Sequence, residues 1–268
     1  MNGKRWLSIT LILALSALAA PVTAGPSKTP RWKTYSEKIL VCAGSRDADC
    51  IETWEAKLAG LGRKADPGVR ALLTSGNEVA VAAGLRLLKE IKQQGTADFA
   101  ADLLGQGNYD FKAQVAEALG DFKGETVVRA LAALAGSRRP FEREKAVEAL
   151  GKIGDAAGIP ALVTAAKDKF FSVRIKACDA LGRFDDKRGI ATLGAALAAD
   201  GNSGVRIAAA RAMGATNSDA AIPLLIVGLE DESFTVQSAA YEALKVITKV
   251  DLGAAPDDWR SWLKRRNR

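Results

Sequence analysis

The sequence lacks histidine altogether: none occurs among its 268 residues. This absence excludes Ser-His-Asp and Cys-His nucleophile systems, imidazole metal ligands and histidine acid–base catalysis. Catalysis by carboxylate side chains alone is not excluded, but no pair of acidic residues interrupts the sequence pattern in a way that indicates such a site. We therefore predict no catalytic site, no cofactor and no metal site.

Aromatic residues are scarce, at 6%, although hydrophobic residues make up 48% of the chain. Alanine and leucine carry most of the apolar content. Side chains of this kind suit closely packed helices better than a β-sandwich, which is rich in β-branched and aromatic residues.

One long apolar run lies near the N-terminus, where Lys4 and Arg5 precede Trp6–Ala20. The run is too short for an ordinary membrane span, and the small residues in Val22–Ala24 fit a cleavage site. We predict a secretory signal peptide, with Gly25 as the new N-terminus; an uncleaved anchor is the alternative. The protein is therefore expected to be exported, either periplasmic or secreted.

The excess of positive charge is small: 38 Lys and Arg against 31 Asp and Glu, a formal charge of +7. Cleavage of the signal would remove two basic residues and no acidic one, which leaves +5. This is below the charge density of a dedicated nucleic-acid binder and argues against a nucleic-acid partner.

Cysteine is rare, with three residues in the chain. Cys42 and Cys50 enclose a short loop that can close if two helix ends face each other, and export would permit oxidation. We predict a disulfide between them; two unpaired thiols are the alternative. For Cys178, which aligns with core-facing positions of the repeat described next, a buried inert thiol is favoured over a reactive one.

A short motif recurs along the chain. Its copies are Glu117–Gly120, Glu148–Gly151, Asp179–Gly182, Arg211–Gly214 and Glu242–Lys245, and successive copies start 31 or 32 residues apart. The apolar residue at the third position of each copy is called the marker below. A fixed period of this length is the signature of a repeat architecture.

Each repeat contains two helical stretches joined by a short polar turn. Ala146, Ala149, Leu150 and Ile153 fall on one helix face, as residues spaced by three or four do. A second apolar stretch follows the turn, and a proline such as Pro160 stands near its start, where proline is tolerated. A single hairpin cannot bury its apolar stripe alone, so the pattern predicts a stack of hairpins with one continuous core.

The repeat resembles a known family. Val173-Arg174, Ala177, Ala180–Gly182 and Ile190 are similar to the short bacterial HEAT-like repeat named after phycobilisome lyases. The resemblance covers roughly residues 77–250. It implies an all-α, right-handed α-α superhelix, a HEAT-like solenoid of about 31 residues per repeat. It says little about activity, because the family hosts many functions.

The ends of the chain depart from the repeat, as the caps of a solenoid do. Helices are expected around 34–41 and 51–61 at the N-terminal end, and Trp259 and Trp262 are expected to cover the open end of the core. The predicted organisation is a signal peptide (1–24), a tether (25–33), an N-terminal cap with a degenerate repeat (34–75), HEAT-like repeats (76–250), and a C-terminal capping helix with a basic tail (251–268).

A basic residue recurs seven positions before the marker, as Lys112, Arg143, Arg174 and Arg206, until Gln237 ends the series. Such a row could bind an acidic partner. The alternative is a structural ladder in which each guanidinium meets an acid of the adjoining turn: Asp168, Asp200 or Asp231. We favour the ladder, because similar HEAT repeats commonly carry this arginine.

The second helices line the concave side in HEAT arrays, as the resemblance implies. A partner could dock there as an extended segment or an amphipathic helix. The alternative, which we favour, is that these side chains pack on neighbouring second helices. The expected outward residues are Arg129, Ala133, Ala161, Thr164, Thr192, Ala195, Leu224 and Val227.

Two further features have a functional and a structural interpretation. Basic residues beside Trp259 and Trp262 could contact an anionic polymer or membrane, although a solvated tail is favoured. Phe171 and Phe234, between repeats, could plug the edges of the stack or mark a contact patch. The basic residues of the tail are Arg260, Lys264, Arg265, Arg266 and Arg268.

The sequence favours an exported, non-enzymatic scaffold with a protein partner. Among HEAT-like enzymes, deoxyhypusine hydroxylases hold iron with His-Glu pairs, which this chain lacks. A lyase-like or carboxylate-based enzyme, and a binder of anionic polymer or membrane through the basic tail, are the alternatives.

Overall fold

The computed structural model describes residues 29–267, which form 15 α-helices and no strand. The all-α solenoid is thereby confirmed. The predicted signal peptide, residues 25–28 of the predicted tether, and Arg268 lie outside the described residues. The helices are α1 (Arg31–Ser45), α2 (Ala48–Ala59), α3 (Asp66–Leu73), α4 (Glu78–Ile91), α5 (Gln94–Leu104), α6 (Lys112–Leu119), α7 (Glu125–Leu134), α8 (Pro140–Ile153), α9 (Ile159–Ala165), α10 (Phe171–Leu181), α11 (Lys187–Ala199), α12 (Ser203–Thr216), α13 (Ile222–Gly228), α14 (Phe234–Thr248) and α15 (Pro256–Arg266).

The helices form two layers. Even-numbered helices from α2 to α14 follow one another in the first layer, and odd-numbered helices from α1 to α15 follow one another in the second. Each second-layer helix from α1 to α13 packs more extensively against the first-layer helix that follows it than against the one before it. Consecutive hairpins are therefore interlocked, and one buried core continues from Ile39 to Trp259.

Close helix contact in the first layer depends on the glycine after the marker. The marker residues of the last three repeats, Leu181, Met213 and Leu244, are fully buried. A Cβ added to Gly182 would lie 2.8 Å from the Cα of Ala212, so only glycine fits at this helix crossing. The glycine that the motif repeats is thus a packing residue between adjacent repeats.

The local sequence fixes where the helices begin. Asn77, Asp186 and Asn202 are N-caps whose side chains accept hydrogen bonds from backbone N–H groups of the first turn. Pro160 and Pro223 occupy the first turns of α9 and α13, as the sequence predicted.

The N-terminal end differs from expectation at the predicted tether. Helix α1 begins at Arg31, inside the segment 25–33, because Trp32 packs against the core. The predicted disulfide between Cys42 and Cys50 is confirmed; it joins α1 to α2 with a Cα–Cα distance of 5.8 Å.

The C-terminal helix α15 lies beside α13 and completes the second layer. Trp259 is fully buried, and its indole N–H donates to the carbonyl of Gly253 over 2.7 Å. The half-buried ring of Trp262 packs edge-on against it, with 6.0 Å between the ring centroids. Both residues lie where the sequence analysis placed the cap.

Candidate binding surfaces of the solenoid

The basic row lies within a repeated clasp. Arg174 donates through Nε and Nη2 to both carboxylate oxygens of Asp200, at 2.6 and 2.7 Å. Its Nη1 donates to the carbonyl of Asp168 at 2.8 Å, six residues earlier. One guanidinium therefore ties its own loop to the loop of the next repeat.

The clasp recurs in the neighbouring repeats. Arg143 holds Asp168 and Arg206 holds Asp231 in the same bidentate manner. Gln237 keeps only the carbonyl contact, through a 2.7 Å hydrogen bond to Asp231. Lys112, at the start of the row, forms no ion pair within residues 29–267.

The carboxylates of the clasp are shifted toward the charged form. Burial alone would raise the pKa of Asp168, Asp200 and Asp231, but hydrogen bonds from the arginine and from a nearby backbone N–H lower the pKa of each below its usual value. These arginines point into neighbouring turns, and Arg143 and Arg206 are buried. We therefore look for a partner surface elsewhere on the solenoid.

The second-layer face offers few free side chains. Leu224 packs into a notch at Gly194, where an added Cβ would lie 2.7 Å from its Cδ1. The hydroxyls of Thr164 and Thr192 donate to carbonyls of their own helices. Arg129 is exposed and lies 3.7 Å from Glu125. Among the predicted outward apolar residues, Ala133 and Ala195 are exposed but small, and Val227 is the large one that is exposed, at 51%.

The basic tail is partly neutralised by the body of the protein. Arg260 pairs with Glu230 at 2.6 Å, and Arg266 pairs with Asp219 at 2.5 Å. These pairs fasten α15 to the repeats.

Cys178 is buried, and burial raises the pKa of its thiol to about 12. A thiol with this pKa is almost entirely protonated at neutral pH and is a poor nucleophile.

An apolar groove lies on the first layer, between α12 and α14. Its volume is about 500 Å³. Phe234 and Val246 are 79% and 48% exposed there, so the plug role considered for Phe234 is wrong: it stands in solvent at the first residue of α14. The groove is lined by Arg211, Gly214, Ala215, Phe234, Thr235, Ser238, Ala239, Glu242, Ala243 and Val246.

The sequence analysis missed this groove, although the repeat register carries its signal. The positions five before and two after the marker are Lys145 and Lys152 in one repeat. Lys145 pairs with Glu117 of α6, and Lys152 pairs with Asp121 just after α6. In the last repeat the same positions are Ala239 and Val246. A ladder of ion pairs therefore gives way to an apolar surface toward the C-terminal end.

A second groove, of about 850 Å³, lies between α2 and α4 at the N-terminal end. Its lining is charged: Glu52 and Glu78 accompany Glu55, which pairs with Arg86 at 2.5 Å. The two grooves thus differ in charge: five charged residues line the N-terminal groove, whereas Arg211 and Glu242 are the charged residues that line the groove between α12 and α14.

Within residues 29–267 no helix is both long and apolar enough to cross a bilayer, and no cluster of acidic or cysteine side chains is arranged to hold a metal ion.

Comparison with known proteins identifies the repeat. A family model described as HEAT repeats matches residues 65–150, 96–170, 137–206 and 190–255. No curated protein matches the chain.

Several solved structures are similar in architecture. Human deoxyhypusine hydroxylase is 17% identical, with 81% of this chain and 98% of that chain covered and a TM-score of 0.42. The complex of CpcE and CpcF of phycocyanin lyase from a Nostoc species is 18% identical, with 93% and 97% covered and a TM-score of 0.45. An engineered protein is 19% identical, with 80% and 71% covered and a TM-score of 0.48. At these identities we transfer no activity from them.

Proposed function

The chain belongs to the HEAT-repeat family, and from this premise we propose that it is an exported, non-enzymatic scaffold that binds a protein partner through the groove between α12 and α14. HEAT-repeat solenoids present extended surfaces of this kind to other macromolecules. The exposed apolar side chains of the groove carry the proposal.

The groove suits a short segment of a protein partner. Phe234 and Val246 leave a large part of their apolar surface in water, and contiguous exposed apolar surface is typical of interaction sites. Arg211 and Glu242 add one cation and one anion to the lining, which can orient a polar backbone or a charged side chain. An amphipathic helix or an extended strand with one or two large apolar side chains fits this chemistry.

Docking on the second-layer face stays a prediction. It would use Val227, together with Arg129, Thr164, Thr192 and Leu224. Leu224 and the two threonine hydroxyls are already engaged within the protein, which supports the groove over this face.

Export is supported by two features. The N-terminal segment has the composition of a signal peptide. The disulfide between Cys42 and Cys50 belongs to an oxidising compartment such as the periplasm or the extracellular space.

Site-specific photo-crosslinking in intact producing cells tests the proposal. A photoreactive amino acid replaces Val246 in one variant and Val227 in the other; these valines are similarly exposed, at 48% and 51%, on opposite layers. We expect a protein adduct of defined size from position 246 and none from position 227. Addition of Phe234→Asp should abolish the adduct. Adducts only at position 227 would move the site to the second layer, and no adduct at either position would contradict the scaffold.

A further inference from the structure

We infer that two adjoining loops of the solenoid form a docking surface for an anionic phospholipid bilayer. This surface, called the loop patch, consists of Arg138, Phe141, Lys167, Lys169, Phe170 and Phe171. It is separate from the basic tail and from the groove between α12 and α14, and the inference does not depend on the protein partner proposed above.

The two loops are held side by side by one arginine. Arg143 donates through Nη1 to the carbonyls of Ser137 and Arg138, at 2.8 and 3.3 Å. Its Nε and Nη2 donate to Asp168 at 2.6 and 2.7 Å. Because both loops are bonded to the same guanidinium, their exposed side chains form one contiguous surface.

The loop patch is positively charged without internal compensation. Arg138, Lys167 and Lys169 are exposed, and none forms an ion pair within residues 29–267. The two acids in these loops are already occupied: Asp168 is held by Arg143, and Glu142 is buried against Ser137 and Arg139. The three cations therefore have no acidic partner and can meet phosphate groups, and Lys169 also lies 5.3 Å from the centroid of the Phe170 ring.

Three phenyl rings stand among these cations. Phe141, Phe170 and Phe171 are 58%, 41% and 54% exposed, and neither groove of the first layer includes them. The interfacial zone of a bilayer accepts all three at once while its anionic headgroups contact the cations.

An equivalent position in another repeat carries an exposed phenylalanine without the same positive charge around it. Phe234 begins α14 as Phe171 begins α10, and it is 79% exposed. The residues before it are Asp231 and Glu232, and both pair with Arg206. The loop before Phe234 therefore holds no cation, and the groove beside this ring supplies Arg211 alone, so Phe234 serves as a control.

Vesicle co-sedimentation tests the inference. The protein is mixed with vesicles of phosphatidylcholine alone or of equal parts phosphatidylcholine and phosphatidylglycerol. One variant removes charge (Arg138→Gln, Lys167→Gln and Lys169→Gln), and another removes rings (Phe141→Ser and Phe171→Ser). Phe234→Ser and a tail variant (Lys264→Gln and Arg265→Gln) are the controls. All these residues are exposed, and far-UV circular dichroism verifies that each variant is folded.

We expect the wild type to bind the anionic vesicles in preference, and less so as salt rises. The charge variant and the ring variant should each lower the partition coefficient at least about tenfold, while both controls bind as the wild type does. The N-terminal apolar run is common to every variant and does not account for differences among them. Equal binding to both vesicle types, loss of binding in the tail variant alone, or tighter binding to single-stranded DNA than to anionic vesicles would overturn the inference.

Discussion

The glycine that ends the repeated motif shows how a single residue controls the stacking. At Gly182 the backbone is helical, with φ −62°, so the position imposes no requirement for left-handed geometry. The Cα, Cβ and carbonyl oxygen of Ala212 nevertheless lie within 2.9 Å of where a Cβ would be. Contact with the next helix, rather than backbone conformation, requires glycine here.

Replacement of this glycine should loosen the stack. We expect Gly182→Ala to lower the free energy of unfolding by about 1–3 kcal/mol, because the added methyl forces α10 and α12 apart. Urea unfolding measures the change. Gly44→Ala is the control, since Gly44 lies in α1 with nothing within 4 Å of an added Cβ. In a helix that substitution should be neutral or stabilising by up to about 1 kcal/mol. Equal effects of the two substitutions would contradict the close contact.

The arginine clasp predicts a particular dependence on pH. The pKa of Asp200 is lower in the folded protein, so its contribution to stability is present above the usual aspartate pKa of about 4 and is lost as the pH falls through the folded value. Removal of Arg174 removes the main cause of that lowered pKa.

Arg174→Ala should therefore destabilise the protein by about 2 kcal/mol at pH 7. This is less than the cost of breaking an ion pair far from solvent. The difference from the wild type should shrink as the pH falls below the usual aspartate pKa and Asp200 becomes protonated. Arg188→Ala, which breaks an exposed pair with Asp186, should cause no measurable loss at either pH. If the stability difference between the wild type and Arg174→Ala does not change with pH, the ion pair contributes nothing to stability.

At the scale of whole helices, the repeat period predicted the middle of the chain well. The stripes around Leu150 and Leu181 depend only on local spacing, and both lie in buried helix faces. The ends could not be placed as well: α1 begins at Arg31 because Trp32 finds a tertiary contact. The groove was missed for a related reason, since it follows from comparing adjacent repeats rather than from any motif within one.

The disulfide predicts a local contribution at the N-terminal cap. It closes a short loop between α1 and α2, and the chain-entropy model gives about 2–3 kcal/mol for such a loop. Reduction, or Cys42→Ser with Cys50→Ser, should lower the stability of α1 and α2 by that amount. Hydrogen exchange resolved along the chain measures this, with faster exchange in 31–59 and unchanged exchange in α12 and α14. Uniform acceleration across all helices would contradict a local role.

In the whole molecule, each hairpin buries its apolar stripe only against its neighbours. Second-layer helices from α1 to α13 rest on the first-layer helix of the following repeat, and the arginine clasps tie one loop to the next. Every junction thus repeats a similar set of contacts, and the proposed partner groove belongs to one junction only. Stability should accordingly depend on how many intact junctions remain.

Removal of one complete repeat tests this account most directly. Deletion of residues 141–171 joins Pro140 directly to Ser172. Arg174 then stands three residues after Pro140, in the position that Arg143 occupies in the wild type. Its guanidinium can therefore donate to the carbonyl of Ser137, as that of Arg143 does. Urea unfolding followed by circular dichroism should show a cooperative, less stable protein with unchanged helicity per residue. Deletion of residues 141–154 alone removes only α8 and should unfold the neighbouring repeats. If both deletions abolish the cooperative transition to the same extent, the protein is one indivisible core and the modular account is wrong.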